Sequence, residues 1–273
     1  MEATFWTLLG AVAVLVLISV VGVRAGSKIK TARDFSTGSG MGVPMVAGSL
    51  IGTLVGGAST IGTAQLAFTY GLSAWWFTLG GGIGLAIMAA FFVGPLRRSG
   101  LVTLPQILTK EYGKPVATTA ALLMSVGTFI SIVSQLLSGA ALITSVWNMP
   151  TLWAVALAAA LMVVYVLFGG AWGAGMVGIV KTVLLYVVTL ICGVTAVSLA
   201  GGFSVFTESL PADQYFNLFA RGLWKDGGAG ASLIFGVLTT QAYFLPMVSA
   251  GSEKTAKNGA LLAGARKTVK PKI

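Results

Sequence analysis

Hydrophobic residues along the chain fall into seven long runs, which are separated by shorter polar or charged connections. A helix that crosses a bilayer needs about 20 mostly apolar residues, and each run is close to that length or longer. The pattern therefore predicts an all-α transmembrane protein with about seven transmembrane helices. The runs cover residues 5–23, 43–68, 74–93, 116–146, 152–168, 176–199 and 231–248.

The basic residues indicate how these helices are oriented. Of the 17 Lys and Arg residues, 15 fall in connections that an alternating topology places on one side. Cytoplasmic loops carry an excess of Lys and Arg, so the N-terminus is predicted outside and the C-terminal end in the cytoplasm. Topology and contact with the anionic lipids of the bilayer explain the net charge of +10. The seven apolar runs predict a multi-pass protein of the cell membrane. Because the charges form no single patch, no nucleic-acid partner is expected.

The composition excludes several classes of functional site. Charged residues make up 9% of the chain, against about 25% in a typical soluble domain. His is absent and Cys192 is the single cysteine, which excludes a Ser-His-Asp triad, a His-ligated metal and a disulfide framework. The acidic residues fall outside the predicted spans, so neither an enzyme nor a proton relay is expected. A coupling ion would be a hard cation held by carbonyl and hydroxyl oxygens, and sodium fits that requirement.

The 37 glycines indicate close packing between helices, because small residues let helix backbones approach in lipid. Gly173, Gly175 and Gly178 match the G-x-G-x-x-G nucleotide fingerprint. That match is discounted, because an apolar span and not a strand precedes it and no acidic residue follows about 20 positions later. A turn between two helices at the membrane surface explains these glycines better.

The second apolar run has an unusual middle. Glycines and hydroxyl residues concentrate within residues 52–65, near the mid-depth of the predicted span. Glycine is costly inside a helix, and unwound backbone at this depth is tolerated where it lines a cavity. One interpretation is a broken helix that offers carbonyl oxygens to an ion and amide groups to a solute. The other is an unbroken, tightly packed helix.

Several short motifs follow one another along the chain. They are Arg33-Asp34-Phe35, Gly57-Ala58-Ser59-Thr60-Ile61, Thr69-Tyr70-Gly71, Phe168-Gly169-Gly170-Ala171-Trp172 and Ala256-Lys257-Asn258-Gly259, with Gln241 upstream of the last. Their order and spacing over nearly the whole chain make it resemble the sodium:solute symporters, the group that contains proline, pantothenate, sialic acid and sugar cotransporters. The resemblance implies a partial LeuT-type inverted-repeat fold and sodium-coupled symport of a small organic solute.

The same resemblance implies a division of the chain into four parts. Residues 1–40 would hold an extra N-terminal helix and a basic cytoplasmic loop. Residues 41–200 would form the first five-helix repeat, and residues 201–230 an extracellular loop. Residues 231–273 would hold the first helix of the second repeat and a truncated cytoplasmic tail.

The resemblance also implies roles for individual residues. Ala58 and Ile61 match positions whose backbone carbonyls bind the co-transported Na⁺. Thr60, Gln65 and Gln241 match positions near the solute, although Gln241 also has the alternative of a hydrogen bond between helices. Thr60 stands where the proline-transporting branch has a carboxylate, so proline is not the expected solute, whose identity stays open.

Members of the family are considerably longer than 273 residues. We therefore expect the chain to be a fragment of a symporter that does not carry out coupled transport alone. The alternative is a half-transporter subunit, or interaction protein, that a second chain completes.

Overall fold

A computed structural model describes residues 5–26, 29–31, 35, 38, 40–208 and 210–268. Arg33 and Asp34 of the first motif lie outside the described residues. Regular secondary structure within the described residues is helical, apart from a single bridge between Met41 and Ala250. The predicted all-α class is therefore confirmed.

Each of the seven apolar runs is largely helical in the structure. A short 3₁₀ turn, Gly71–Ala74, joins two of the helices, and a π-helical turn, Met88–Phe92, joins two others. The helices are α1 (Phe5–Gly26), α2 (Val43–Leu54), α3 (Gly57–Tyr70), α4 (Trp75–Ile87), α5 (Val93–Arg98), α6 (Leu104–Tyr112), α7 (Lys114–Trp147), α8 (Thr151–Leu199), α9 (Phe203–Glu208), α10 (Ala212–Tyr215), α11 (Leu223–Thr239), α12 (Gln241–Ser249) and α13 (Glu253–Thr268).

Four helical stretches of the described chain are long and apolar enough to cross a membrane, and the pair α11–α12 makes a fifth. The four are Leu9–Gly26, Ser59–Arg98, Lys114–Trp147 and Gly169–Leu199. Two shorter apolar helices, Val43–Leu54 and Thr151–Val163, correspond to the start of the second run and to most of the fifth. The structure thus supports a multi-pass protein, and the count of seven spans stays a prediction.

Two of the apolar runs are interrupted by non-helical residues. The first interruption, which we call the first break, is formed by Val55 (φ −99°, ψ 82°) and Gly56 (φ −93°, ψ 178°) between α2 and α3. The second break is Thr240 (φ −95°, ψ 127°), where α11 and α12 meet with a bend of 49°. The broken-helix interpretation of the second run therefore describes the structure, and an unbroken helix does not.

The main hydrophobic core lies between α2, α4, α12 and α13. Val46 and Leu50 of α2 and Leu85 of α4 are fully buried there. Ala256, Ala260 and Ala263 place one small-residue face of α13 in the same core, each at 0% exposure. The part of the chain that sequence reasoning assigned to a cytoplasmic tail thus begins with a packed helix.

The three fingerprint glycines lie inside α8 and pack against other helices. They follow Gly170, whose φ of 49° and ψ of −151° separate the two apolar halves of α8. A β-carbon on Gly173 would lie 3.6 Å from the Gly22 carbonyl oxygen of α1, and one on Gly175 would lie 3.1 Å from Met45 of α2. They are packing residues of a helix and not a phosphate-binding loop.

Candidate functional site

The first break exposes the start of α3, and a side chain from another helix binds it. The first N–H groups of a helix have no partner within that helix. The N–H of Gly57 donates instead to Oε1 of Gln135, which lies in α7, at 2.9 Å. Sequence reasoning missed Gln135, and an amide within a long apolar run was the available signal.

Hydroxyl side chains satisfy carbonyls at the same break. The Ser59 hydroxyl donates to the carbonyls of Gly56 at 2.9 Å and Leu54 at 3.3 Å. The Thr60 hydroxyl donates to the carbonyls of Gly57 at 3.0 Å and Gly56 at 3.1 Å. Short hydroxyl side chains commonly bond nearby backbone in this way. Ser59 and Thr60 therefore stabilise the two helix ends that meet at the break.

The two predicted sodium ligands, Ala58 and Ile61, lie just beyond the break. Both residues belong to α3, so they have helical backbone and are not part of the unwound segment. Carbonyls of helical residues point along the helix axis, toward its C-terminal end. The break therefore precedes Ala58 and does not include the 58–61 stretch, and the carbonyl roles of the two residues stay predictions.

The predicted solute residues are divided between two helices. Thr60 and Gln65 both lie on α3, and Gln65 is exposed. Gln241 is the first residue of α12, directly after the second break. Its Oε1 accepts the N–H of Leu104 at 2.8 Å, and its Nε2 donates to the carbonyl of Val102 at 3.1 Å. The amide of Gln241 thus binds the first residue of α6 and the loop just before it, so it makes a hydrogen bond between helices, which was the alternative to a solute contact.

The C-terminal end of α12 is bound by Arg97, which lies near the end of α5. One guanidinium nitrogen of Arg97 donates to the carbonyls of Met247 at 2.8 Å, Val248 at 3.1 Å and Ala250 at 2.7 Å. A cation is favourable at a helix C-terminus, where carbonyl groups lack partners. Arg97 and Gln241 therefore attach both ends of α12 to the chain segment 97–104.

Replacing Gln241 by methionine is expected to loosen the loop before α6 while keeping the side-chain volume. The Leu104 amide hydrogen should exchange roughly 2- to 12-fold faster, because a net hydrogen bond contributes about 0.5–1.5 kcal/mol. Hydrogen–deuterium exchange of the peptide covering 102–106 measures this. Gln65→Met is the matched control, since Gln65 is exposed. Equal exchange in both variants would contradict the role given to Gln241.

A buried ion pair lies beside Tyr70, the last residue of α3. Asp226 in α11 is 0% exposed. It accepts hydrogen bonds from the Ser73 hydroxyl at 2.8 Å and from Nε of Arg221 at 2.7 Å. A second guanidinium nitrogen, Nη2 of Arg221, lies 2.6 Å from the same carboxylate oxygen. Asp226 was expected in a loop outside the spans, but α11 begins earlier than predicted and includes it, and the pairing with Arg221 compensates the burial of its charge.

The segment before this ion pair covers the end of α3. The Tyr215 hydroxyl donates to the Phe68 carbonyl at 2.9 Å, and Nε2 of Gln214 donates to the Thr69 carbonyl at 2.8 Å. Nε1 of Trp76 donates to the Leu218 carbonyl at 2.8 Å. Residues 212–222 therefore close one end of the broken helix, which sequence reasoning did not anticipate.

Comparison with known proteins agrees with the resemblance carried by the sequence motifs. The sequence pattern of the sodium:solute symporter family matches residues 35–264. The chain is 29% identical to the uncharacterized symporter YwcA of Bacillus subtilis (strain 168) over 71% of this chain and 39% of that protein. It is 26% identical to high-affinity choline transporter 1 of Caenorhabditis elegans, over 94% of this chain and 47% of that protein. The corresponding Drosophila melanogaster protein is 25% identical over 90% of this chain and 40% of its own length.

The chain therefore spans less than half the length of the curated relatives it matches, between 39% and 47%. Both breaks, at 55–56 and at 240, lie inside the matched range 35–264.

Proposed function

Because the chain belongs to the sodium:solute symporter family, we propose that it is part of a sodium-coupled symporter for a small organic solute. The observation that carries this proposal is the first break. A helix interrupted near mid-depth, with backbone groups and hydroxyls gathered around it, is the way many secondary transporters hold an ion and a solute. The activity is proposed for the whole protein, since the relatives are more than twice as long as the segment that they share with this chain.

The two breaks support a LeuT-type arrangement of inverted repeats. The resemblance makes the α2–α3 pair the first helix of one repeat and the α11–α12 pair the first helix of the next. Both pairs are broken, as symmetry-related helices around a midplane site would be. The packing of α2, α4, α12 and α13 into one core brings these elements together.

We propose that the carbonyls of Ala58 and Ile61 bind Na⁺ when the start of α3 loosens. A carbonyl inside a regular helix already accepts a hydrogen bond from the residue four positions later. Sodium binding at these atoms therefore requires the first turn of α3 to open beyond the break at Gly56. Thr60 and Gln65 would then contact the solute from the same helix. Gln241 would join them only after releasing the loop before α6.

The test is solute uptake into proteoliposomes that contain this chain, alone and together with a polypeptide that supplies the C-terminal half of YwcA. Choline belongs in the panel of labelled solutes, because two relatives carry the name of choline transporters. We expect uptake driven by an inward sodium gradient only in the completed assembly. Uptake that is equal in sodium and potassium would contradict the proposed coupling.

A leucine at position 58 tests the sodium ligands within that assay. Ala58→Leu adds bulk beside one of the proposed carbonyls and should abolish sodium stimulation. Ala64→Leu on the same helix is the matched control, because Ala64 is exposed. Unchanged sodium stimulation in Ala58→Leu would remove Ala58 from the site.

The alternative of a half-transporter completed by a second chain has one observation in its favour. Leu122, Phe129 and Ile130 of α7 are between 62% and 67% exposed, so this helix presents a broad apolar face. Lipid and further helices both suit such a face. A stable partner polypeptide that co-purifies with the chain would favour this alternative, and a monodisperse single chain would oppose it.

A further inference from the structure

We propose that Gln135 is a positioning residue that fixes the start of α3 at the first break. Its bond to the Gly57 N–H holds the turn that carries Ala58 and Ile61. The bond itself is independent of the proposed function, whereas its effect on sodium binding rests on that function.

The contact between α7 and the first break depends on two glycines. A β-carbon on Gly56 would overlap the side-chain amide of Gln135. One on Gly57 would lie 2.9 Å from the β-carbon of Ser138. The Gly-Gly pair therefore lets α7 approach close enough for the Gln135 carbonyl oxygen to reach the helix end.

Gln135 differs from the hydroxyl residues of its own helix. The hydroxyls of Ser125, Thr128, Ser138 and Thr144 donate to carbonyls within α7. Gln135 instead accepts a hydrogen bond from a residue 78 positions away in the sequence. Among the described residues of α7 it thus provides a polar link to the helix that holds the proposed site.

Through this bond Gln135 restrains the first turn of α3. An N–H group that is exposed at a break has no helical partner, so any acceptor that binds it fixes the position of that turn. Movement of α7 relative to α3 would lengthen or break this bond. The positions of the Ala58 and Ile61 carbonyls therefore depend on the distance between α7 and α3.

The first measurement is hydrogen–deuterium exchange at the Gly57 amide, in the chain held in lipid nanodiscs. Gln135→Ala should raise the exchange rate roughly 2- to 12-fold, the range that the net contribution of one hydrogen bond allows. Gln135→Glu keeps an acceptor oxygen at the same chain length and should restore slow exchange. Ser125→Ala is the matched control, because its hydroxyl bonds within α7. An unchanged rate in Gln135→Ala would overturn the proposal.

A double-mutant cycle provides the second measurement. Gly56→Ala should displace the Gln135 amide, because the far end of a flexible side chain moves more easily than backbone. Gly56→Ala and Gln135→Ala should then speed exchange by similar factors, and the double variant should be no faster than the faster single variant. Gly62→Ala is the control, since a β-carbon there meets no atom within 4 Å. Multiplicative effects in the cycle would show that Gly56 and Gln135 act independently and would overturn the proposal.

The sodium dependence of uptake separates this proposal from the proposed function. In the completed assembly, Gln135→Ala should lower the sodium concentration for half-maximal uptake, because the first turn of α3 must open for Na⁺ to bind, and it should change maximal uptake less. Fast exchange at Gly57 without any sodium-coupled uptake would contradict the proposed function and leave the bond established. Sodium-coupled uptake with unchanged exchange would contradict the role of Gln135 alone.

Discussion

Replacing Arg221 by methionine is expected to lower the free energy of unfolding by about 3–5 kcal/mol, because it leaves a buried carboxylate without its cation. The Asp226 side chain is 0% exposed and that of Arg221 is 19% exposed, so the carboxylate has no direct contact with water in this fold. The Ser73 hydroxyl and the Arg221 backbone N–H would remain as donors to the carboxylate. Neither of them carries a full positive charge.

Thermal unfolding in nanodiscs, followed by near-ultraviolet circular dichroism, measures this effect. Lys225→Met is the matched control. It removes the same charge from a side chain that is exposed and lies four residues after Arg221. A second variant, Arg221→Met combined with Asp226→Leu, should recover much of the lost stability, since apolar pairs often replace buried ion pairs without cost. Similar losses in Arg221→Met and Lys225→Met would mean that the ion pair contributes little.

Replacing Gly178 by alanine is expected to separate α8 from α2. A β-carbon at this position would overlap the carbonyl of Gly48, which is backbone and cannot rotate away. Overpacking of a filled interface costs about 1–3 kcal/mol. The opposing gain in helix propensity is at most about 1 kcal/mol, so destabilisation should dominate.

The matched control is the same substitution on α7, at Gly127, where a β-carbon meets no atom within 4 Å. Gly127→Ala should leave the unfolding midpoint unchanged or raise it slightly, because glycine is the less stable residue in a helix interior. Fluorescence-detected size exclusion after a temperature series compares the two variants. Equal midpoints would show that α2 and α8 can move apart without loss of stability.

The helices could be predicted from the sequence because long apolar runs dominate it. The first break could also be anticipated, since glycines and hydroxyl residues collect in the middle of the second run. The exact residues of the break could not be predicted. The sequence located the interruption only to within residues 52–65, whereas the structure places it at Val55 and Gly56. Gln135, which binds the chain at this break, lies 78 positions away in the sequence, and no local pattern encodes that contact.

The partners of the polar side chains were beyond reach for the same reason. Gln241 and Leu104 are 137 positions apart in the sequence, and Asp226 and Ser73 are 153 positions apart. A glutamine directly after a helix break has the same local sequence whether it binds a solute or a loop. A single aspartate near a span likewise gives no sign of a buried partner, so the closure of the end near Tyr70 became visible only in the fold.

The alanine face of α13 also sets an order for biogenesis. Leu50 of α2 packs in the same core as Ala260 of α13, about 210 residues later in the chain. A ribosome that adds about 5–20 residues per second needs roughly 10 to 40 s to make that interval. During this time lipid or the insertion machinery must cover the apolar face of α2. The earliest core helix to be synthesised is therefore among the last to acquire its full set of neighbours, and early release from the ribosome would leave that face uncovered.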